Sequence, residues 1–134
     1  MPNDPLTSPF HVLFVCTMNP HRSRTAHDLF ARLQPSWIVS SAGTALTARQ
    51  PLSSHTLSCV QQIVCMENDH RLALLKRFPD LKERLRQHNL SVKSPPTTPL
   101  SISTLAIPDI YNYGDPQLQQ LLLLKHAQGL IGPL

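Results

Sequence analysis

The residues Cys16-Thr17-Met18-Asn19-Pro20-His21-Arg22-Ser23 decide the fold, because they separate two segments of different hydrophobic periodicity. The run Val12-Leu13-Phe14-Val15 before them is typical of a buried strand. After them, apolar residues recur at the spacing of one helix face, at Ala26, Leu29, Phe30 and Leu33. A strand, a tight loop and a helix in this order aim the unpaired N–H groups of the helix N-terminus at the loop. The sequence therefore predicts an anion-binding loop.

The side chains of this loop indicate nucleophilic chemistry. A cysteine at the end of a buried strand is often only a small apolar residue. Here Cys16 lies in the field of a helix N-terminus, which favours the nucleophilic thiolate. Arg22 supplies a planar fork that matches two phosphate oxygens. Ser23 is positioned to hydrogen-bond the sulfur and to help it leave a covalent intermediate.

Three segments resemble one known family. One is similar to the active-site signature of the low-molecular-weight protein tyrosine phosphatases: Val-Leu-Phe-Val-Cys, followed after five residues by Arg-Ser. Ser41-Ala42-Gly43-Thr44 and Cys65-Met66-Glu67 resemble two later family segments, and the similarity runs from about 11 to 125 with a shortened middle. This resemblance implies a phosphocysteine intermediate and no metal, so no cofactor is expected.

The resemblance also assigns roles to residues of this chain. It implies that Cys16 is the nucleophile, that Arg22 is the phosphate ligand, and that Asn19 and Ser41 are a buried pair that supports the loop. The remaining residues predicted to contact substrate are Thr17, Met18, His21, Ser23 and Tyr111, together with Asn19.

The chain departs from the family pattern in and around the loop. Met18 replaces the usual Gly, and His21, Arg24 and His27 replace a common Cys, Pro and Glu. Pro20 has no N–H, so the loop lacks one backbone donor and weaker anion binding is a hypothesis. Residues 42–52, which form a cleft wall in the phosphatases, contain no aromatic side chain. The sequence thus predicts phosphatase chemistry more firmly than a preference for phosphotyrosine.

Asp109 is the predicted general acid and base. It follows the fourth predicted strand, and the carboxyl ends of parallel strands share one sheet edge with the Cys16 loop. Asp109-Ile110-Tyr111 also resembles the family's Asp-Pro-Tyr motif except at its middle position. The rival acid is Asp115, for which a structural role as helix N-cap before Pro116 is also expected. Tyr111 is either a cleft wall or a core aromatic.

The predicted fold class is α/β, with an open, doubly wound, four-stranded parallel sheet of order 2-1-3-4 and helices on both faces. The strands are expected at about 11–15, 37–40 (buried on both faces), 63–66 and 102–107. The segment Ser91 to Ser101, with three prolines, is expected to be a surface loop. The leucine run Leu121 to Leu124 is expected in a deeply buried helix.

Composition favours one small domain over residues 11–134 after a loose lead-in, residues 1–10. The chain has 134 residues, of which 41% are hydrophobic, enough for a single core. Three cysteines without paired spacing favour a reducing compartment, and the cytoplasm is expected. No signal peptide or membrane-spanning run is evident. The net charge of +4 suits an anionic substrate, a phosphorylated protein or small phosphomonoester, and nucleic acid is not expected because Lys and Arg form no long run.

Two other functions remain open. An arsenate reductase of this fold needs further cysteines as a relay, and Cys59 and Cys65 do not match the relay in position or spacing. A module that binds phosphate or a phosphoprotein without turnover is compatible with Pro20 and the missing aromatic wall. The seven histidines show no ligand spacing for a metal, and no Gly-Lys-Ser/Thr follows the first strand as a nucleotide-binding loop would require.

Overall fold

A computed structural model describes residues 10–17, 21–45, 52–58, 60–90 and 100–132 of the chain. Strands and helices alternate through most of this part. The elements in chain order are β1 (His11–Cys16), α1 (Arg22–Leu33), β2 (Ile38–Gly43), α2 (Ser54–Leu57), β3 (Gln62–Cys65), α3 (Asn68–Arg77), α4 (Leu81–Leu90), β4 (Ser101–Thr104) and α5 (Pro116–Ala127).

The four strands form one parallel sheet in the order β2-β1-β3-β4. In its register, Cys16 pairs with Gly43 of β2 and Val15 pairs with Cys65 of β3. After β1 the chain forms β2 on one side of β1 and then returns to form β3 on its other side. The direction in which strands are added therefore reverses at β1. This is the predicted doubly wound sheet, and it places the end of β1 at the switch point where ligands of such sheets bind.

Each face of the sheet is covered by its own apolar core. Alternate β1 residues Val12, Phe14 and Cys16 pack with α1 and α5, against side chains that include Phe30, Leu118 and Leu122. Leu13 and Val15 point the opposite way and pack with the α2, α3 and α4 side. Since successive strand residues alternate between the two faces of the sheet, β1 contributes side chains to both cores.

Several element boundaries differ from the predicted ones. β2 begins at Ile38, which is 48% exposed, and only its second half is buried. The prediction of a strand buried on both faces was wrong because β2 is an edge strand. β4 ends at Thr104 and does not reach 107, because Ala106 has a φ of +56°, which breaks the extended backbone.

The last helix begins as predicted and is less buried than predicted. The Asp115 carboxylate accepts a hydrogen bond from the Gln117 N–H, and Pro116 is the first helical residue. Leu118 and Leu122 are fully buried, whereas Leu123 and Leu124 are 42% and 51% exposed. Four consecutive leucines must cover more than one helix face, so half of the run points outward.

Some predicted features lie outside the described residues. These are residues 1–9 of the lead-in, residues 46–51 of the cleft-wall loop, Cys59, and residues 91–99 of the proline-containing loop. Within the part of the chain that the structure describes, no helix is long and apolar enough to span a membrane.

Candidate active site

The carboxyl end of β1 forms the base of the candidate site. Cys16 is the last residue of this central strand and is 3% exposed. The chain after β2 runs alongside it, since the Thr44 N–H donates to the Cys16 carbonyl at 2.9 Å and the Ala45 N–H donates to the Thr17 carbonyl at 3.0 Å. The chain after β2 therefore continues alongside the end of β1 that carries the thiol, at the sheet's switch point.

The Cys16 sulfur contacts the first turn of α1. Its Sγ lies 3.0 Å from Ser23 Oγ, and both side chains are buried. A hydroxyl at this distance can donate to a thiolate and stabilise it as a leaving group. The structure thus brings together the two side chains that the loop sequence singles out for the sulfur chemistry.

Arg22 is buried at the start of α1 and is held by three groups. Its Nη1 donates to a Glu67 carboxylate oxygen and, at 2.8 Å, to the Ile107 carbonyl. Its Nε lies 3.6 Å from Asp109 Oδ1. Because Nη1 carries both hydrogen bonds and the Nε–Asp109 distance exceeds that of a hydrogen bond, the guanidinium is fixed mainly through one nitrogen.

Asp109 and Asp115 have different surroundings. Asp109 is 67% exposed and lies beside Arg22, whereas the Asp115 carboxylate caps α5. Tyr111 is half-buried and packs against the core, which agrees with the second of its two predicted roles. Of the two, Asp109 is the carboxylate that lies beside Arg22.

The segment that carries Asp109 is tied to α1 at its other end. The Gly114 N–H donates to Thr25 Oγ1 at 2.9 Å, and the Tyr113 hydroxyl donates to the Asp28 carboxylate. That hydrogen bond raises the pKa of Tyr113 because it favours the protonated phenol. The helix that begins with Arg22 therefore also anchors the segment of the candidate acid.

Ser41 has a partner that sequence reasoning missed. Its hydroxyl lies 2.9 Å from Nδ1 of His27, the residue that replaces the family's common Glu. Burial and the nearby Arg24 lower the pKa of His27, against the opposing effect of Asp28. Asn19, the predicted partner of Ser41, lies outside the described residues, as do Met18 and Pro20.

Glu67 and His70 also reach the site without having been predicted there as functional residues. His70 Nε2 lies 3.0 Å from Thr17 Oγ1, and Glu67 contacts Arg22. Burial, then Arg22, lowers the pKa of His70. Two signals in the sequence pointed to Glu67: it follows the end of β3 at the same sheet edge as Cys16, and it belongs to the family-like segment Cys65-Met66-Glu67.

The other described cysteine lies on the opposite side of the sheet. Cys65 packs in the core with Leu13 and Val15, whereas Cys16 packs with Val12 and Phe14. Burial raises the pKa of the Cys65 thiol to about 12. In the described part of the chain, no three His, Cys, Asp or Glu side chains come together as a metal site.

No family model matches this sequence, and no curated protein sequence matches it. Solved structures do share its fold. The tyrosine phosphatase Wzb from Escherichia coli K30, in complex with phosphate, superposes with a TM-score of 0.62 and 20% identity over 90% of this chain and 95% of Wzb. The YwlE arginine phosphatase from Geobacillus stearothermophilus superposes with a TM-score of 0.58 and 22% identity over 90% of this chain and 94% of that protein.

A third structure is SP-PTP, a low molecular weight protein tyrosine phosphatase from Streptococcus pyogenes. It has a TM-score of 0.58 and 15% identity, over 92% of this chain and 94% of that protein. The likeness therefore spans nearly the full length of both chains while the sequences have diverged widely. Together with the sheet order β2-β1-β3-β4, these structures identify the architecture as the low-molecular-weight protein tyrosine phosphatase fold.

Proposed function

We propose that the chain is a cysteine-dependent phosphatase of the protein tyrosine phosphatase type. The single observation that carries the proposal is the buried Cys16–Ser23 contact of 3.0 Å at the N-terminus of α1, with Arg22 on the same turn. A thiol, its leaving-group partner and an oxyanion ligand are thereby assembled in a small volume. The substrate is a phosphorylated protein or a small phosphomonoester.

In the first step the Cys16 thiolate attacks phosphorus, forming the S–P bond as the bond to the leaving oxygen breaks. Asp109 donates its proton to that oxygen. Arg22 and the N–H groups at the start of α1 stabilise the charge on the equatorial oxygens. No cofactor is required, because the thiolate, the acid and the anion site all come from this chain.

In the second step water hydrolyses the phosphocysteine. The Asp109 carboxylate takes a proton from the attacking water, the new O–P bond forms, and sulfur leaves as the thiolate. The Ser23 hydroxyl donates to the departing sulfur from its position 3.0 Å away. Inorganic phosphate then occupies the loop until it dissociates.

The leaving group is the open part of the assignment. Wzb is a tyrosine phosphatase and YwlE an arginine phosphatase, and both share this fold. We place phosphotyrosine first, with Tyr111 beside Asp109 as the aromatic contact that residues 42–52 lack. Phosphoarginine is the second candidate, favoured by the exposed carboxylate of Asp109, which would attract a cationic guanidinium.

An arsenate reductase receives less support. A disulfide relay requires thiols that reach the first cysteine, and Cys65 faces the opposite core. Its raised pKa also keeps it a thiol, the unreactive form.

The test is hydrolysis of para-nitrophenyl phosphate without metal and with reductant present, by wild type and Cys16→Ser, followed by phosphotyrosine and phosphoarginine peptides. The proposal predicts metal-independent turnover that disappears in Cys16→Ser. A folded wild type that binds vanadate but hydrolyses none of these substrates would contradict it and favour a phosphate-binding module. Preference between the two peptides decides the leaving group.

A further inference from the structure

Two residues at the start of α3 contact the two ends of the predicted anion-binding loop, residues 16–23, which we call the phosphate loop. His70 reaches Thr17, the residue directly after Cys16, and Glu67 reaches Arg22, the residue at which α1 begins. Glu67, the N-cap of α3, and His70 are joined to each other. The His70 N–H donates to the Glu67 carbonyl at 3.1 Å, and the Glu67 N–H donates to His70 Nδ1 at 3.0 Å.

The Glu67 N–H fixes the tautomer of His70. A backbone N–H can only donate, so Nδ1 must present its lone pair. In the neutral ring the proton is then on Nε2, which donates to Thr17 Oγ1 at 3.0 Å. The Thr17 oxygen is thus an acceptor in this contact, and its own hydrogen remains available for another partner.

We propose that Glu67 and His70 form a brace that holds Arg22 and Thr17 in place and makes the Thr17 hydroxyl a donor to the bound oxyanion. This inference rests on the proposed function, since it assigns positioning residues to the same loop. It gives the loop a side-chain donor in a sequence where Pro20 removes a backbone one. Glu67 and His70 act through Arg22 and Thr17.

The brace requires neutral His70. Protonation of Nδ1 would remove the acceptor of the Glu67 N–H and add a cation beside Arg22. The charged groups that face the ring are Arg22 from α1, Glu67 and Asp69 from the start of α3, and Asp109 from the segment after β4. Burial of His70, which is 3% exposed, opposes protonation.

The chain offers a matched control for His70. His11 Nε2 also lies 3.0 Å from a hydroxyl, Ser40 Oγ, and its ring is half-buried. His11 is the first residue of β1, at the opposite end of the strand from Cys16. His11→Gln therefore perturbs the same type of histidine–hydroxyl contact without touching the phosphate loop.

The first experiment measures vanadate affinity of wild type, His70→Ala, Thr17→Val, their double variant and His11→Gln. We expect affinity to fall about tenfold in each single variant of the brace, the loss expected for one hydrogen bond to a charged group. The double variant should lose little more, because His70 acts through Thr17. His11→Gln should bind as wild type, and Thr17→Ser should recover most of the loss seen in Thr17→Val.

The second measurement is the ring nitrogen NMR spectrum of His70, which reports its tautomer without any ligand. The Nε2–H form is expected at neutral pH. An Nδ1–H form would overturn the proposal, and so would unchanged vanadate affinity in Thr17→Val. Thr17→Val keeps the side-chain size and leaves α3 intact, so this test remains available even if His70→Ala does not fold. Neither readout needs turnover, so a wild type that is inactive yet shows both effects would refute the proposed function alone.

Discussion

Asp109 Oδ1 lies 3.6 Å from Arg22 Nε, although the two residues are far apart in sequence. Arg22 opens α1 at the end of the loop after β1, and Asp109 follows β4 at the other side of the sheet. Both lie at the carboxyl edge because all four strands are parallel. The sheet topology thus brings the candidate acid to the same edge as the candidate phosphate ligand.

Replacing Asp109 should reduce catalysis in a way that depends on the leaving group. For Asp109→Asn we expect kcat to fall by about 10²- to 10⁴-fold with alkyl or phenyl phosphates, the usual contribution of a general acid. The loss should be smaller with a dinitrophenyl ester, whose oxygen needs no proton to leave. Steady-state kinetics across such a series measures the difference.

Asp115→Ala is the control for the rival acid. Loss of its cap on α5 should reduce stability by about 1 kcal/mol in urea unfolding and leave the leaving-group dependence unchanged. If Asp115→Ala, and not Asp109→Asn, altered that dependence, the assignment of the acid would be wrong.

Arg22→Lys should lower kcat/KM by about 10²- to 10³-fold, because lysine keeps the charge but cannot offer two parallel donors to the oxyanion. Arg24→Lys is the matched control. Arg24 lies on the same helix, where it pairs with Asp28 at 3.2 Å and is 40% exposed. Equal kinetics for the two variants would contradict a role for the Arg22 fork.

Cys65 should resist alkylation in the native protein. Its thiol is buried and its pKa is about 12, so very little thiolate forms near neutral pH. In a Cys59→Ser background, iodoacetamide should modify Cys16 first and Cys65 only after unfolding, as peptide mass mapping would show. A Cys59–Cys65 disulfide formed by the full chain after arsenate treatment would instead revive the reductase alternative.

Stability should decrease as pH falls below about 6.5. The pKa values of His11, His27 and His70 are lowered from 6.5, in each case first by burial. The unfolded chain therefore binds these protons at higher pH than the folded chain, so stability is present above 6.5 and is lost towards the lower folded-state values. Urea unfolding across this range measures how the free energy of unfolding changes with pH. This change should be smaller when all three histidines are replaced by Gln.

The fold could be predicted because its signals are local. The apolar run of β1, the helix spacing after Arg22 and the Asp115-Pro116 cap each act within a few residues, and parallel topology follows from their alternation. The edge position of β2 was missed because exposure depends on which strands become neighbours. The break after Thr104 was missed because a positive φ at an alanine leaves no signature in the sequence.

The candidate site was only partly predictable for a related reason. Cys16, Arg22 and Ser23 lie within eight consecutive residues, so spacing identifies them together. Glu67, His70 and His27 reach the site through contacts between elements that are distant in sequence. A Glu or His at such a position has no local pattern that separates it from any other polar residue.

The central claim is that Cys16 carries the phosphoryl group, and the most direct test is to detect it there. Asp109→Asn should hydrolyse the intermediate slowly, so we would mix it with para-nitrophenyl phosphate, stop the reaction with denaturant and map the labelled peptide by mass spectrometry. The account predicts one phosphoryl group on Cys16, formed in a burst with nitrophenol and absent in Cys16→Ser. Turnover with no phosphoryl group on Cys16, or with the group on a histidine, would contradict it.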